Sequence, residues 1–320
     1  MTARLRILTW HVHGNYLYSL TQVPHEFIVP VMPDGRPGYA MLGNKIPWGG
    51  NVRMVPADQL RDEPFDCVIY QSRQAYEHDR LSLLTSAQQA LPSAYIEHNP
   101  PEPHPTDTRH FFQHGHGVLV HVTHYNALMW DAGGMPDAVI EHGVPEAEGV
   151  SYGGELERGI VVINNLGARG RRVGADVYEW ARSRIPLDLI GMGSESMAGG
   201  KGEIDNMNVP AFVARYRFFF TPIRYASLGL SLIEAMMAGV PVVGVAATEL
   251  PRVIQNGING YVDNRRPALL DVARQLLADA AMAREWGEAA RRTARERYNM
   301  TRFVADWERL LFKLTGVGNV

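Results

Sequence analysis

The sequence predicts an α/β chain of two domains, on three observations. At 320 residues it is long enough to bury two separate cores. Short apolar runs rich in Val, Ile and Phe, the mark of buried strands, alternate with helix-forming stretches, as in strand–helix–strand units. Between the two series lie residues 150–158, with Gly153 and Gly154, which read as the linker.

Composition narrows the function classes. The chain is 46% hydrophobic and 20% charged, ordinary for a globular protein, and its formal net charge of −3 gives no reason to expect a nucleic-acid partner. Cys67 is the only cysteine, so neither an internal disulfide nor a cysteine-based zinc site can form. Residues 1–14 lack the apolar core of a signal peptide, and no apolar run approaches the roughly 20 residues that span a bilayer. A soluble or at most peripheral protein in a reducing, cytoplasmic setting is expected.

In the first half, residues 5–10 read as a buried strand, followed by His11-Val12-His13-Gly14-Asn15 and a helix from Tyr16. A glycine at a first strand-to-helix turn lets backbone approach a ligand, although an ordinary turn uses the same residues. Residues 24–56, rich in Pro and Gly, suggest an irregular excursion with one short strand over 27–31. A strand over 65–70 and a helix over 79–90 follow. The next strand ends at Glu97-His98-Asn99 before two prolines, and strand ends are where sites gather in open α/β sheets. Taken alone, a histidine there is more often structural than catalytic.

His104, His110, His114, His116, His121 and His124 form a conspicuous series. A zinc site is the sharp hypothesis. Against it, no H-E-x-x-H occurs, and in a strand over 118–123 continued to 124, His121 and His124 face opposite sides. No metal is expected. Residues 138–145 close this half.

The second half opens with a buried strand over 160–163 and then a loop over 164–174 carrying Arg169, Arg171 and Arg172 among three glycines. Guanidinium groups on such a loop suit a pyrophosphate, and surface arginines without a ligand look the same. A helix over 177–184, a strand running into the Gly191-Met192-Gly193 turn, a short helix over 210–215 and a strand over 218–220 come next. Residues 221–244, TPIRYASLGLSLIEAMMAGVPVVG, are the most informative stretch. Gly229 stands where a helix should begin, Leu230, Leu232, Ile233, Met236 and Met237 give it an apolar side, Gly239 and Pro241 end it, and a buried strand follows. Such a helix start offers unpaired amides to a phosphate, with Glu234 about one turn in and able to accept from sugar hydroxyls. From these residues alone, a loop glycine and an exposed helix glutamate are equally good readings. Amphipathic helix lies within 267–298, and a last helix covers 301–314.

Pro222, Gly229, Leu230, Glu234, Ala235, Met236, Gly239, Pro241 and Val242 fall in register with the pattern P-S-x-x-E-x-F-G-L-x-x-x-E-A-M-A-x-G-x-P-V. The stretch therefore resembles the signature of the retaining "group 1" (family 4-like) glycosyltransferases of the GT-B fold. The resemblance covers nearly all of 150–314, including residues 246–262, and the first half more loosely. It implies two Rossmann-like domains with parallel sheets facing an interdomain cleft: an acceptor-side domain over 1–150, a nucleotide-sugar domain over 151–298, and a helix over 299–320 crossing back to the first domain. It also implies transfer of a hexose from a UDP- or GDP-linked donor to an acceptor hydroxyl of a glycan, lipid-linked or small molecule. Configuration would be retained, with no cofactor and no metal, in glycan biosynthesis in the cytoplasm or at the inner membrane face.

By the same resemblance, Glu234 holds the nucleotide ribose, and Ser227, Leu228, Gly229 and Leu230 meet the donor. Gly191 and Gly193 lie near the nucleotide, and Gly14 and Asn15 face the donor phosphates and acceptor. His98 positions the donor sugar or its phosphate, while Arg169 and Arg172 grip the diphosphate. Where the family has the first glutamate of its pair, this chain has Ala226, and Arg252 stands where the family's later G-G-x-P-E-V-I segment has its glutamate. Those departures keep two alternatives in view: a nucleotide-sugar-binding protein of the same fold without turnover, and a nucleotide-sugar epimerase.

Overall fold

The computed structural model describes residues 4–317. Residues 1–3 of the expected first domain and 318–320 of the expected closing segment lie outside the described residues. The chain divides into two compact units, Met1–Gly143 with Met300–Val320, and Val144–Asn299.

The first unit contains β1 (Arg6–Thr9), β2 (Glu26–Val31), β3 (Val52–Pro56), β4 (Cys67–Tyr70), β5 (Ser93–Glu97), β6 (Gly117–His121) and β7 (Asp137–Val139). They form one sheet in the order β3-β2-β1-β4-β5-β6-β7, with every neighbouring pair parallel. The chain steps outward from β1 through β2 and β3, then returns to place β4 on the other side of β1. That reversal opens a crevice at the carboxyl ends of β1 and β4.

The second unit contains β8 (Leu156–Val162), β9 (Leu187–Ile190), β10 (Tyr216–Thr221), β11 (Val242–Val245) and β12 (Gly260–Asp263). Their order is β12-β11-β10-β8-β9, again all parallel, with the reversal between β8 and β10. A parallel sheet covered on both faces needs strands that are apolar throughout. Phe218-Phe219-Phe220 meets that demand by alternation: Phe218 and Phe220 pack with Val161, Val243 and Leu269 on one face, Phe219 with Ile160, Val242 and Met236 on the other.

The helix Leu230–Met237 covers that second face, burying Leu232, Ile233, Met236 and Met237. Each such side chain contributes about 1.5–3 kcal/mol. Its amphipathic spacing therefore anchors the signature stretch against the sheet.

Several sequence expectations are corrected. The excursion over 24–56 holds a second strand, β3, at the sheet edge where its terminal Pro56 removes no ladder bond. The helix expected over 79–90 is broken: Leu84 turns extended, and Thr85 restarts the chain with a capping box to Gln88 before Ser86–Gln89. The arginine loop over 164–174 is locally helical, with Leu166–Arg169 followed by a tight turn, Gly170–Val173. The stretch 267–298 is two helices, Arg266–Ala278 and Ala280–Arg297, because the Asp279 carboxylate accepts from the amides of Ala281 and Met282 and starts the second. Strand β6 ends at His121, and His124 opens a helix rather than continuing the strand. Among the described residues no helix is long and apolar enough to cross a membrane.

Candidate functional site

The reversal point of the second unit holds a pocket. Val162 and Ile163 at the end of β8, Phe219 to Thr221 at the end of β10, and Ala247 and Thr248 beyond β11 line it. Ser227, Leu228, Gly229 and Ser231 close it at the start of the helix Leu230–Met237. Gly229 is extended at the N-cap and no side chain caps this helix; the Leu232 amide donates to the Gly229 carbonyl at 3.2 Å, and the amides of Leu230 and Ser231 stand at the helix start that suits an anion. Of the residues expected to meet a donor, Ser227, Leu228 and Gly229 thus line one hollow, with Leu230 beginning the helix beside it.

Glu234 lies one turn further and borders a separate hollow, with Pro145, Ala147, Val150, Pro210, Met237 and Ala238. The carboxylate is partly buried among these mostly apolar groups, and burial pushes its pKa up to about 7. Ala226 is buried at 9% exposure and brings no charge to the loop.

Two further turns converge on the end of β8. Gly191, at φ +128°, passes so close that a side chain there would strike the Ile163 carbonyl 2.7 Å away. The amide of Met192 donates to Asn164 Oδ1 at 3.0 Å, and the amide of Asn165 to the Met192 carbonyl at 2.7 Å. A side chain on Gly193 would meet Asn165 Oδ1 at 2.8 Å. The Gly191–Gly193 turn is therefore docked on Asn164 and Asn165. Arg169, exposed on the same segment, donates to the Asn164 carbonyl at 3.4 Å.

The loop before Ser227 is pinned by residues that sequence reading passed over. Asp176 receives Arg224 at 2.5 Å, Arg171 at 2.8 Å and Arg266 at 3.2 Å. Arg224 chiefly, with Arg171 adding to it, holds that carboxyl down to about 2. The Arg172 carbonyl accepts from the amides of Arg224 and Tyr225 at 3.1 and 3.0 Å, so Arg172 is structurally tied to the loop whatever its guanidinium does. Gly174, at φ +86°, lies so near Pro222 that a side chain would come 2.0 Å from its carbonyl oxygen. No motif marked Asp176 or Arg224; their roles depend on segments 48 residues apart in sequence.

Thr248 adopts φ +52°, strained for a β-branched residue. The neighbouring Glu249, 1% exposed, is gripped by Arg252 at 2.7 Å and Arg297 at 3.1 Å. Arg252, which replaces an expected glutamate, is thus an anchor for the loop that lines the pocket.

In the first unit, His13 and Tyr16 after β1, Gln71 after β4 and His98 after β5 come together at the carboxyl ends of the strands. The rings of His13 and His98 are 4.3 Å apart, and Tyr16 stands edge-on to His98 at 4.7 Å. Burial chiefly, with His13 and His142 adding repulsion, lowers the His98 pKa well below its ordinary value, so the ring is neutral. Gly14 opens the helix Gly14–Leu20 with Asn15 beside it; a Cβ on Gly14 would make only ordinary contact with His11 and Ile46. The carboxylate of the preceding Glu97 accepts from the Asn99 amide at 2.7 Å and from His110 Nε2 at 3.0 Å, fixing the chain on either side of His98. His110 is therefore structural, as is His114, bonded to the Gln89 carbonyl. Among the described residues, no group of three His, Cys, Asp or Glu could hold a metal ion.

Residues 200–293 match the family described as "Glycosyl transferases group 1". Among curated relatives, N-acetyl-alpha-D-glucosaminyl L-malate synthase of Bacillus anthracis is 36% identical over 88 residues, 27% of this chain and 23% of that protein. An uncharacterized 41.2 kDa protein from the cps region of Klebsiella pneumoniae is 36% identical over 63 residues, 20% of this chain and 18% of the relative. The matches span about a fifth of the length of these curated relatives. Sucrose-phosphate synthase from Thermosynechococcus elongatus superposes with a TM-score of 0.74 at 14% identity, over 98% of this chain and 100% of that one. Anabaena HepE, solved in complex with UDP and glucose, gives 0.68 at 12% identity, over 97% and 100%. The chain thus has the two-domain, parallel-sheet GT-B fold, and its second unit carries the match to group 1 glycosyl transferases.

Proposed function

We propose that this protein is a glycosyltransferase that moves a hexose from a UDP- or GDP-linked donor to an acceptor hydroxyl, with retention of configuration and without a metal ion. The observation that carries this reading is the pocket between β8 and β10, where an uncapped helix N-terminus meets the signature loop. The amides of Leu230 and Ser231 at the helix start suit a diphosphate, and the charge that develops on the departing phosphate would be stabilised by them and by Arg169 and Arg172. Glu234, one turn on, would accept from the ribose hydroxyls. His98 and the Gly14–Asn15 turn would serve the sugar and acceptor. The departing phosphate would take the acceptor's proton, which lets the new bond form on the face the leaving group vacates. A cytoplasmic or inner-membrane-face setting, with a glycan, lipid-linked or small-molecule acceptor, accompanies this proposal. The group 1 match and the HepE complex with UDP and glucose support the donor class.

Incubation with UDP- and GDP-sugars and a panel of hydroxyl acceptors tests it: nucleoside diphosphate should be released only with a matching acceptor. Nucleotide binding without release across the panel favours a second reading, a binding protein without turnover, for which apolar Ala226 in the signature loop is the specific observation. A changed sugar without acceptor, seen by product NMR, would indicate an epimerase.

A further inference from the structure

Gln71 follows β4 directly, is 3% exposed, and bridges that strand to β1 and to His98. Its side-chain nitrogen lies 3.2 Å from Thr9 Oγ1 and 3.4 Å from the Trp10 carbonyl oxygen. A carbonyl oxygen only accepts, so the NH2 end of the amide must face it. Gln71 Oε1 is thereby turned towards His98 Nε2, 3.3 Å away. That oxygen also only accepts, so the proton of the imidazole must sit on Nε2. The ring is neutral among His13, Tyr16 and His142, and a neutral imidazole protonated at Nε2 carries a lone pair at Nδ1. Among the described residues the Nε2 contact is the ring's one hydrogen bond, and His98 keeps part of its surface open.

We infer that Gln71 is a positioning residue that locks His98 as the Nε2–H tautomer, so that Nδ1 accepts a hydrogen bond from a substrate hydroxyl. A lone pair repels phosphate oxygens, so the group His98 reads is the sugar and not the diphosphate. The tautomer stands independently of the enzyme's activity; the identity of the hydroxyl rests on the nucleotide-sugar reading above.

The test uses the full chain with 15N-labelled histidine and two-bond 1H–15N correlation at pH 7, the His98 signals being assigned by their loss in His98→Asn. The wild type should show the Nε2–H pattern, Gln71→Leu a mixture or the Nδ1–H pattern, and Gln71→Glu, which restores an acceptor, the Nε2–H pattern again. An Nδ1–H or imidazolium signal in the wild type, or an unchanged spectrum in Gln71→Leu, overturns the proposal. Calorimetry with UDP against UDP-glucose, and GDP against GDP-mannose, supplies the ligand arm. Gln71→Leu should weaken the sugar nucleotide about tenfold, the value of one hydrogen bond, and leave the free nucleotide unchanged. Equal losses for both would overturn the hydroxyl assignment. Wild-type protein that binds none of the four removes the nucleotide-sugar reading, while the tautomer spectrum still decides the role of Gln71.

Discussion

Glu234 offers the sharpest quantitative test, because its carboxyl rises from 4.5 to about 7 through burial. Below about pH 4.5 the group is protonated in folded and unfolded chains alike and contributes nothing. Between that value and 7 the unfolded chain releases its proton while the folded chain keeps it, so stability falls as pH rises. Above about pH 8 the whole penalty is present. At ~1.4 kcal/mol per unit the rise corresponds to about 3 kcal/mol, and the group's remaining contact with solvent reduces this to ~1–2 kcal/mol. Glu234→Gln stays neutral throughout. Its melting temperature should match the wild type at pH 4.5 and exceed it by ~3–6 °C at pH 8.5. Ligand binding should go the other way. Ribose hydroxyls donate to the anion, so nucleotide affinity of the wild type should increase as pH rises through 7, and Glu234→Gln should lose both the affinity and its pH dependence. Thermal unfolding at pH 4.5, 6.5 and 8.5, with and without UDP or GDP, reads both effects. Parallel melting curves for the two proteins across that range would refute the reasoning.

Three other perturbations follow from the pocket. Thr248→Gly relieves left-handed strain of ~1–2 kcal/mol against the ~0.5–1 kcal/mol flexibility cost of glycine, so denaturant unfolding should show a net gain of about 0.5–1 kcal/mol; a loss above 1 kcal/mol would mean the strain is absent. Gly174→Ala drives a methyl into the Pro222 carbonyl and should cost ~3 kcal/mol by the same measurement while weakening nucleotide binding, because Pro222 leads into the pocket loop; wild-type stability would contradict the close approach. Glu249→Ala removes the 1% exposed carboxylate that accepts from Arg297 and the half-exposed Arg252, and should cost about 1–2 kcal/mol; unchanged stability would show that these pairs do not hold the loop.

Much of the site's frame was legible along the chain. Gly229, Gly239 and Pro241 bracket a helix whose apolar residues repeat at helical spacing, and that alone places Ser227 to Leu230 at a helix start. The break at Thr85 and the restart at Asp279 were also written locally, in a capping box and an N-cap, though the periodicity around them hid both. The three-arginine segment was read as loop because its glycines obscured a short helix.

The sequence by itself determined which stretches become strands and helices and which residue types stand at their ends, because hydrophobic period and capping act over a few neighbours. Only the tertiary structure decided that Asp176 clamps Arg224, that Glu249 is buried between Arg252 and Arg297, and that Gln71 dictates where the His98 proton sits. Those roles depend on strand order, which brings residues tens of positions apart into hydrogen-bond range. For Glu249 and Gln71 they depend equally on burial, which strengthens contacts that solvent would otherwise screen.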